Sequence, residues 1–228
     1  MKIKNPIRNI YSYNTYIVDM DGTLYFKYSM QIRMLFVLLG YYIIHPLRIK
    51  ELFILQYYRK LRDIEELSDN TEFGKIIVSQ LSQKFNVEEE KVQSIIDYWI
   101  LQKPLKILRK CCDKKLRCFL ELQKNNLCQV YVYSDYPAVE KCKALNVHPT
   151  DVFWPDGERI FTLKPSPTGL DYILRQHRLD RSKVLFIGDR LEKDGLCAKR
   201  NEVDYLILNK TKLSRYMQYL KLFKPEAN

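Results

Sequence analysis

Five short apolar runs punctuate the chain: Thr15–Met20, Gln129–Tyr133, Val152–Trp154, Val184–Ile187 and Tyr205–Leu208. None is long enough to make a helix of ordinary length, so each reads as a buried strand. From residue 104 onward they alternate with segments of helical character, Leu105–Lys124, Ala138–Leu145, Ser166–His177, Lys193–Arg200 and Lys212–Phe223. Strands that are apolar throughout and separated by helices bury both faces only in a parallel sheet with helices on each side. The expected fold class is α/β, a doubly wound parallel sheet.

The stretch between the first two strands breaks this alternation. Leu24 to about Ser29 is expected to form a tight turn and a short hairpin or flap. Helical spacing then prevails: an apolar run from Met34 to Ile44 ended by His45-Pro46, and a second helix from Leu47 to about Glu66. A third helix is capped by Ser68 or Asp69 and runs to about Phe85. A fourth over Glu88–Gln102 carries Val92, Ile95, Ile96 and Trp99 on one face and is punctuated by Pro104. No strand is expected between Met30 and Lys103. The chain therefore divides into core residues 1–27, a helical insertion over 28–103 and core residues 104–228.

Chemistry collects where the strands end. Tyr16-Ile-Val runs into Asp19-Met-Asp21-Gly22-Thr23, and carboxylates two apart on a strand lean the same way. Two such anions call for a cation, and oxygen ligands at a sheet edge favour magnesium; a strand-ending turn would use the same residues. Ser134 and Asp135 follow the second strand, where a hydroxyl and the next backbone N–H can hold a phosphoryl oxygen. Lys164-Pro-Ser-Pro opens a helix and offers an ammonium. Gly188-Asp189 ends another strand, with Asp194 five residues on, and these acids would complete a cation site opposite Asp19. Ser134, Lys164 and Gly188-Asp189 each have an ordinary alternative as turn or surface residues. Their joint occurrence in this order, each after a strand, selects the functional reading.

In order and spacing these four sites resemble the four motifs of the haloacid dehalogenase-like hydrolase superfamily: Asp19 to Thr23, Ser134, Lys164, and Gly188 to Asp194. The resemblance covers about residues 14–26 and 104–210 and implies a Rossmann-like core with a helical cap inserted after the first motif. It implies Asp19 as a nucleophile that becomes a phosphoaspartate and Asp21 as general acid and base. It also implies Mg2+ held by Asp19, the backbone carbonyl of Asp21 and Asp189, supported by Asp194. Ser134 and Lys164 would stabilise the transferring phosphoryl group, with Gly22, Thr23 and Asp135 completing the phosphate site. An acid two residues after the nucleophile marks the phosphatases and phosphomutases of that superfamily. The expected function is thus a phosphomonoester phosphatase acting on a small phosphorylated metabolite, with a phosphosugar mutase as the alternative.

Charge and composition leave other classes to weigh. The formal charge is +11, from 38 Lys plus Arg against 27 Asp plus Glu, a balance that attracts anionic ligands, membranes or nucleic acid alike. The basic stretch Lys103–Lys124 is interrupted by Asp113 and Glu121, so a solvated helix face accounts for it better than nucleic acid does. Six cysteines lack C-x-x-C spacing, which excludes a structural zinc site of the usual kind. With no apolar signal segment near Met1, they point to reduced thiols in the cytoplasm. The uncharged run Met34–Ile44 would be a helix about 16 Å long, roughly half a bilayer core. A helix apolar all round is expected to be buried in the cap. The other possibility is that it meets an anionic membrane or a lipid-like substrate, since Lys27, Arg33, Arg48, Lys50, Arg59, Lys60 and Arg62 surround it. A membrane-peripheral or basic-ligand binding protein with residual hydrolase motifs is the non-enzymatic alternative. The sequence says nothing of oligomeric state.

Overall fold

The computed structural model describes residues 9–62 and 73–223. Five parallel strands form one sheet, β1 (Thr15–Val18), β2 (Gln129–Tyr133), β3 (Asp151–Phe153), β4 (Val184–Gly188) and β5 (Asp204–Ile207), in the order β3-β2-β1-β4-β5. In register, Ile17 of β1 lies between Tyr131 and Phe186, and Val18 between Val132 and Ile187. Alternate residues feed two cores, as the pleat requires. Tyr16, Val18, Val130, Val132, Leu185 and Ile187 face one layer. Ile17, Tyr131, Tyr133, Val184 and Phe186 face the other.

The segment between β1 and β2 is helical. It begins with α1 (Lys27–Ile44), α2 (Lys50–Arg62), α3 (Phe73–Phe85) and α4 (Glu89–Ile96). It continues through a wide helical turn, Asp97–Gln102, into α5 (Lys103–Leu108) and α6 (Lys114–Asn125). The later crossovers carry α7 (Val139–Leu145), α8 (Thr168–Gln176) and α9 (Leu196–Arg200), and α10 (Lys212–Leu222) follows β5. The result is a Rossmann-like parallel core with an all-helical cap inserted after the first strand. Among the described residues no strand lies between 30 and 103, and the proposed cap at Ser68 or Asp69 falls outside them.

Several expected boundaries differ. There is no hairpin after Leu24: Tyr25 makes a single antiparallel bridge to Cys112 and α1 begins at Lys27. Pro104 does not end a helix but lies in the first turn of α5, where its missing N–H costs nothing. The preceding turn widens at Asp97–Gln102, which lets the chain pass a proline without a clash against the previous turn. The expected single helix Leu105–Lys124 is broken at Cys112-Asp113. Asp113 donates its backbone N–H to Leu24 O at 2.9 Å, and its carboxylate accepts from Leu116 N at 3.1 Å as the cap of α6. The run Met34–Ile44 is not buried all round either. Met34 and Tyr42 are buried, whereas Leu35, Phe36, Leu39, Ile43 and Ile44 are exposed.

Candidate active site

β1 ends at the centre of the sheet, between β2 and β4. There the crossovers leave to opposite sides and open a crevice at the carboxyl ends of the strands. Asp19 sits at that point, buried, its backbone N–H donating to Ile187 O at 2.8 Å. The chain then turns sharply. Gly22 adopts φ +107°, a conformation that side chains with a Cβ rarely take, and a Cβ there would run into the Asp189 carboxylate. At Gly188 a Cβ would strike the Asp194 side chain. The two glycines thus let both acids of the β4 loop approach the β1 turn.

Asp19, Asp189 and Asp194 are all buried, with one carboxylate oxygen from each lying within 4.8 Å of the others. Asp194 is fixed by its own loop, Oδ2 accepting from the backbone N–H groups of Asp189 at 3.1 Å and Arg190 at 3.0 Å. Lys164 is fully buried, its ammonium donating to Asp19 Oδ1 at 2.5 Å, Asp194 Oδ1 at 2.6 Å and Tyr133 O at 3.3 Å. Thr23 Oγ1 donates to the other oxygen of Asp19 at 2.9 Å.

Burial raises the pKa of Asp19, with Asp21 and Asp189 adding to the rise and Lys164 opposing it. Burial likewise raises Asp189 and Asp194, the former further through Asp194. Burial works against the charge of Lys164, but the carboxylates of Asp19, Asp194 and Asp135 hold its pKa well above the usual lysine value. One lysine is short of compensating three acids. Asp189 Oδ1 is buried without a hydrogen-bond partner among the described residues. A hard divalent cation fits this all-oxygen donor set and would satisfy the orphaned atom.

Asp21 lies apart from that cluster and half-buried. Its carboxylate accepts from Lys141 Nζ at 2.7 and 2.8 Å, from Tyr25 Oη at 2.5 Å and from Ser134 Oγ at 3.4 Å. Desolvation pushes its pKa up, but Lys141 and Tyr25 more than offset this and hold it below the usual carboxylate value. Ser134 is buried after β2 and accepts from Tyr136 N at 3.1 Å. Asp135 uses its carboxylate to position the loop of Lys164, accepting from Lys164 N at 3.0 Å. It also pairs with Arg190 and Lys193 at 3.6 Å. The structure therefore gathers Asp19, Asp21, Gly22, Thr23, Ser134, Asp135, Lys164, Asp189 and Asp194 around one crevice.

Residues without a legible signal complete the site. Lys141 is the third residue of α7, indistinguishable in sequence from a surface lysine. Arg215, near the chain end on α10, is fully buried, and its guanidinium donates to Gly22 O at 2.7 Å and Thr23 O at 3.0 Å. It thereby clamps the turn that follows Asp19. Above the site, a cavity of about 520 Å³ extends under the cap, walled by Met30, Met34, Leu35, Leu38 and Trp99 and edged by Arg59, Lys141 and Arg190.

Sheet, buried carboxylate cluster and helical cap define a hydrolase centred on an aspartate and suited to a divalent cation. The family model of haloacid dehalogenase-like hydrolases matches residues 13–200, and the chain belongs to that family. A search of the curated proteins found no match. Among solved structures, the chain is similar to a 2-haloacid dehalogenase from Pseudomonas syringae pv. Tomato DC3000, with 14% identity and a TM-score of 0.61 over 86% of each chain. The putative HAD-hydrolase YfnB from Bacillus subtilis, bound to magnesium, gives 15% identity and a TM-score of 0.60, covering 92% of this chain and 98% of that one. A hydrolase from Streptococcus pneumoniae TIGR4 gives 17% identity and a TM-score of 0.52, covering 92% and 99%. At these identities the likeness establishes the fold.

Proposed function

We propose that the protein is a magnesium-dependent phosphomonoester phosphatase working through a phosphoaspartate on Asp19. The observation that carries this is the pairing of two unlike aspartates in one turn. Asp19 is buried against Lys164 in the carboxylate cluster, and Asp21 faces the cavity with its own cation, Lys141. Asp19, Asp189 and Asp194, with the backbone carbonyl of Asp21, would hold Mg2+, which when bound supplies charge that offsets the repulsion between a phosphate and a carboxylate nucleophile.

In this mechanism the free oxygen geometry of Asp19 is set by Lys164 and Thr23, which hold one carboxylate oxygen each. Asp19 attacks phosphorus in line while Asp21 gives a proton to the leaving alcohol oxygen. Asp21 then takes a proton from the water that attacks the acylphosphate. Ser134 Oγ, 3.4 Å from Asp21, is positioned to donate to a phosphoryl oxygen. Lys141 has two functions. Before substrate arrives it neutralises Asp21; a phosphate dianion draws its ammonium away, and Asp21 rises toward a pKa at which it can carry a proton.

The family's dehalogenase chemistry lacks an acid at the position of Asp21, which favours a phosphatase here. The cavity sets the apolar Met30, Met34, Leu35 and Leu38 against donors such as Gln31, Tyr58 and Arg59, and a phosphosugar mutase is the alternative reading of the same site. We place the cap at residues 28–103, between core segments 1–27 and 104–228; the helical insertion beginning at Lys27 supports this. The six free cysteines support a reducing, cytoplasmic setting. The test is magnesium-dependent phosphate release from a panel of phosphomonoesters by wild type and Asp19→Asn. Equal turnover by the two would remove Asp19 as nucleophile, and no turnover on any member would remove the phosphatase.

A further inference from the structure

We propose that the α1–α2 hairpin of the cap docks on an anionic membrane surface and that the cavity takes phosphomonoesters with a long apolar leaving group. This names the substrate class of the site above and rests on the phosphatase reading.

The hairpin exposes what a water-facing cap would bury. Ile32, Phe36, Leu39 and Ile43 follow one another at helical spacing along α1, and Phe36 is 69% and Ile43 78% exposed. The stripe continues over the bend, where Ile44 is 73% and Leu47 98% exposed, and Phe53 on α2 adds to it. Among the described residues no single helix is long and apolar enough to cross a membrane, and the two helices turn through 119° at their break. The shape is a bent hairpin with an apolar tip, suited to lying in an interface.

Charge identifies the occupant. Between Lys27 and Arg62 the sequence has seven Lys and Arg and one acid, Glu51. Glu51 is withdrawn from the surface: it is buried and accepts from Tyr42 Oη at 3.2 Å and Trp99 Nε1 at 3.5 Å. Lys27, Arg33, Arg48, Lys50, Arg59 and Lys60 are exposed. Among the described residues of α1 and α2, apolar side chains rimmed by exposed cations complement a bilayer of anionic lipids, whose headgroups meet the cations while the chains take the tip.

The same helix connects that surface to the chemistry. On α1, Met30, Met34 and Leu38 face the cavity above Asp21, and Leu35 both lines the cavity and is 53% exposed. Beside Lys27 and Gln31, which also line the cavity, Met30, Met34, Leu35 and Leu38 form an apolar strip of α1 that leads from the cavity toward the outer stripe. A lipid alcohol can stay against it while its phosphate meets Asp19. Hydrolysis breaks the bond between phosphorus and the alcohol oxygen, Asp21 returns a proton to that oxygen, and water completes inorganic phosphate.

Vesicle flotation and alkyl phosphate kinetics test this together. Wild type should float with vesicles of equal parts phosphatidylglycerol and phosphatidylcholine and remain behind with phosphatidylcholine alone at high salt. Ile43→Asp with Leu47→Asp changes two side chains outside the cavity. It should weaken flotation by about tenfold or more per side chain, while p-nitrophenyl phosphate hydrolysis stays at the wild-type rate. Leu127→Asp, an equally exposed change on the core, should leave flotation intact. Across short to medium alkyl phosphates, kcat/KM should rise about three- to fourfold per methylene buried. Wild type staying in the supernatant at low salt, or a flat chain-length profile, overturns the proposal. So does a dimer that the double substitution makes monomeric, since the stripe would then serve a second copy. Variant-sensitive flotation without hydrolysis of any phosphomonoester would instead sink the phosphatase reading, and the substrate assignment with it.

Discussion

Arg215 offers a way to disable the catalytic turn without touching a catalytic group. Its guanidinium donates to four acceptors: Gly22 O at 2.7 Å, Thr23 O at 3.0 Å, Asn209 O at 2.6 Å and Asp113 Oδ2 at 3.2 Å. Tyr219 Oη also donates to Asp113 Oδ2 at 2.7 Å, and both charged side chains are essentially fully buried. Arg215→Met keeps much of the apolar stem but strips Asp113 of its countercharge and the turn of its donors. Removing one partner of a buried pair costs about 3–5 kcal/mol. In a chain of this size that is a fall in Tm of about 6–20 °C. Activity assayed well below that Tm should fall too, because Gly22 and Thr23 set the position of Asp19 and Asp21. Adding Asp113→Asn removes the uncompensated carboxylate and should restore part of the stability but little of the activity, since the turn still lacks its donors. Calorimetry of the four variants of this cycle, with phosphate-release kinetics on each, provides the measurement. A single Arg215→Met variant that melts within a degree or two of wild type would refute the clamp.

The other predictions concern the cation site, the acid and the buried thiols. Magnesium at about a hundred times its Kd should stabilise the protein by about 2.7 kcal/mol, read as a rise in Tm, and Asp189→Asn should abolish the rise. Lys164→Met should destabilise the metal-free protein by about 3–5 kcal/mol by leaving Asp19 and Asp194 uncompensated, with magnesium recovering part of the loss. Lys141→Met should lower kcat/KM by about ten- to a hundredfold through the loss of one charge-assisted contact, and an unchanged value would detach Lys141 from substrate binding. Burial pushes Cys142 and Cys197 up to about 12, against about 8.5 in an unfolded chain. The unfolded state therefore gives up these protons first: stability is intact below about pH 8.5 and falls as pH rises toward 12, by about 1.4 kcal/mol per pH unit for each thiol. Denaturant titrations on the alkaline side should show that slope, and Cys197→Ala should reduce it.

The core was legible because its signals are local. A run such as Gln129–Tyr133 is too short and too apolar to be anything but a buried strand, and β2 has those limits. Asp19, Ser134 and Asp189 are legible because each follows a strand directly, and parallel strands bring their carboxyl ends together whatever the cap does; Lys164 instead lies in the loop that leads into α8. Lys141 and Arg215 carried no such mark. Each is one cation among 38, and only the tertiary fold brings Arg215 to a turn 192 residues away. Pro104 misled for a related reason: a proline ends a helix only where the previous turn needs its N–H, and here the turn before it widens. The exposed side of α1 is not legible in the sequence because an uncharged run has the same composition whether it is buried or exposed. Only the position of its neighbours tells the two apart.

The unlike surroundings of Asp19 and Asp21 explain why the two can share a turn and divide the work. Both are carboxylates within three residues, and in water they would titrate together. In the fold, Asp19 is desolvated beside two further acids and partly neutralised by Lys164, so its charge is costly until a cation arrives. Asp21 instead is held ionised by a lysine and a tyrosine that face the cavity. On the proposed mechanism the first would be the nucleophile, in a site where Lys164 alone faces three acids until metal binds, and the second the acid, paired with Lys141. Environments that push two like groups apart are what acid–base catalysis requires. Here the separating agent for Asp21 is Lys141, which reaches it from α7 in the core. On the proposed mechanism the cap's share would be to choose the leaving group, and the described residues of α1 that line the cavity are apolar apart from Lys27 and Gln31.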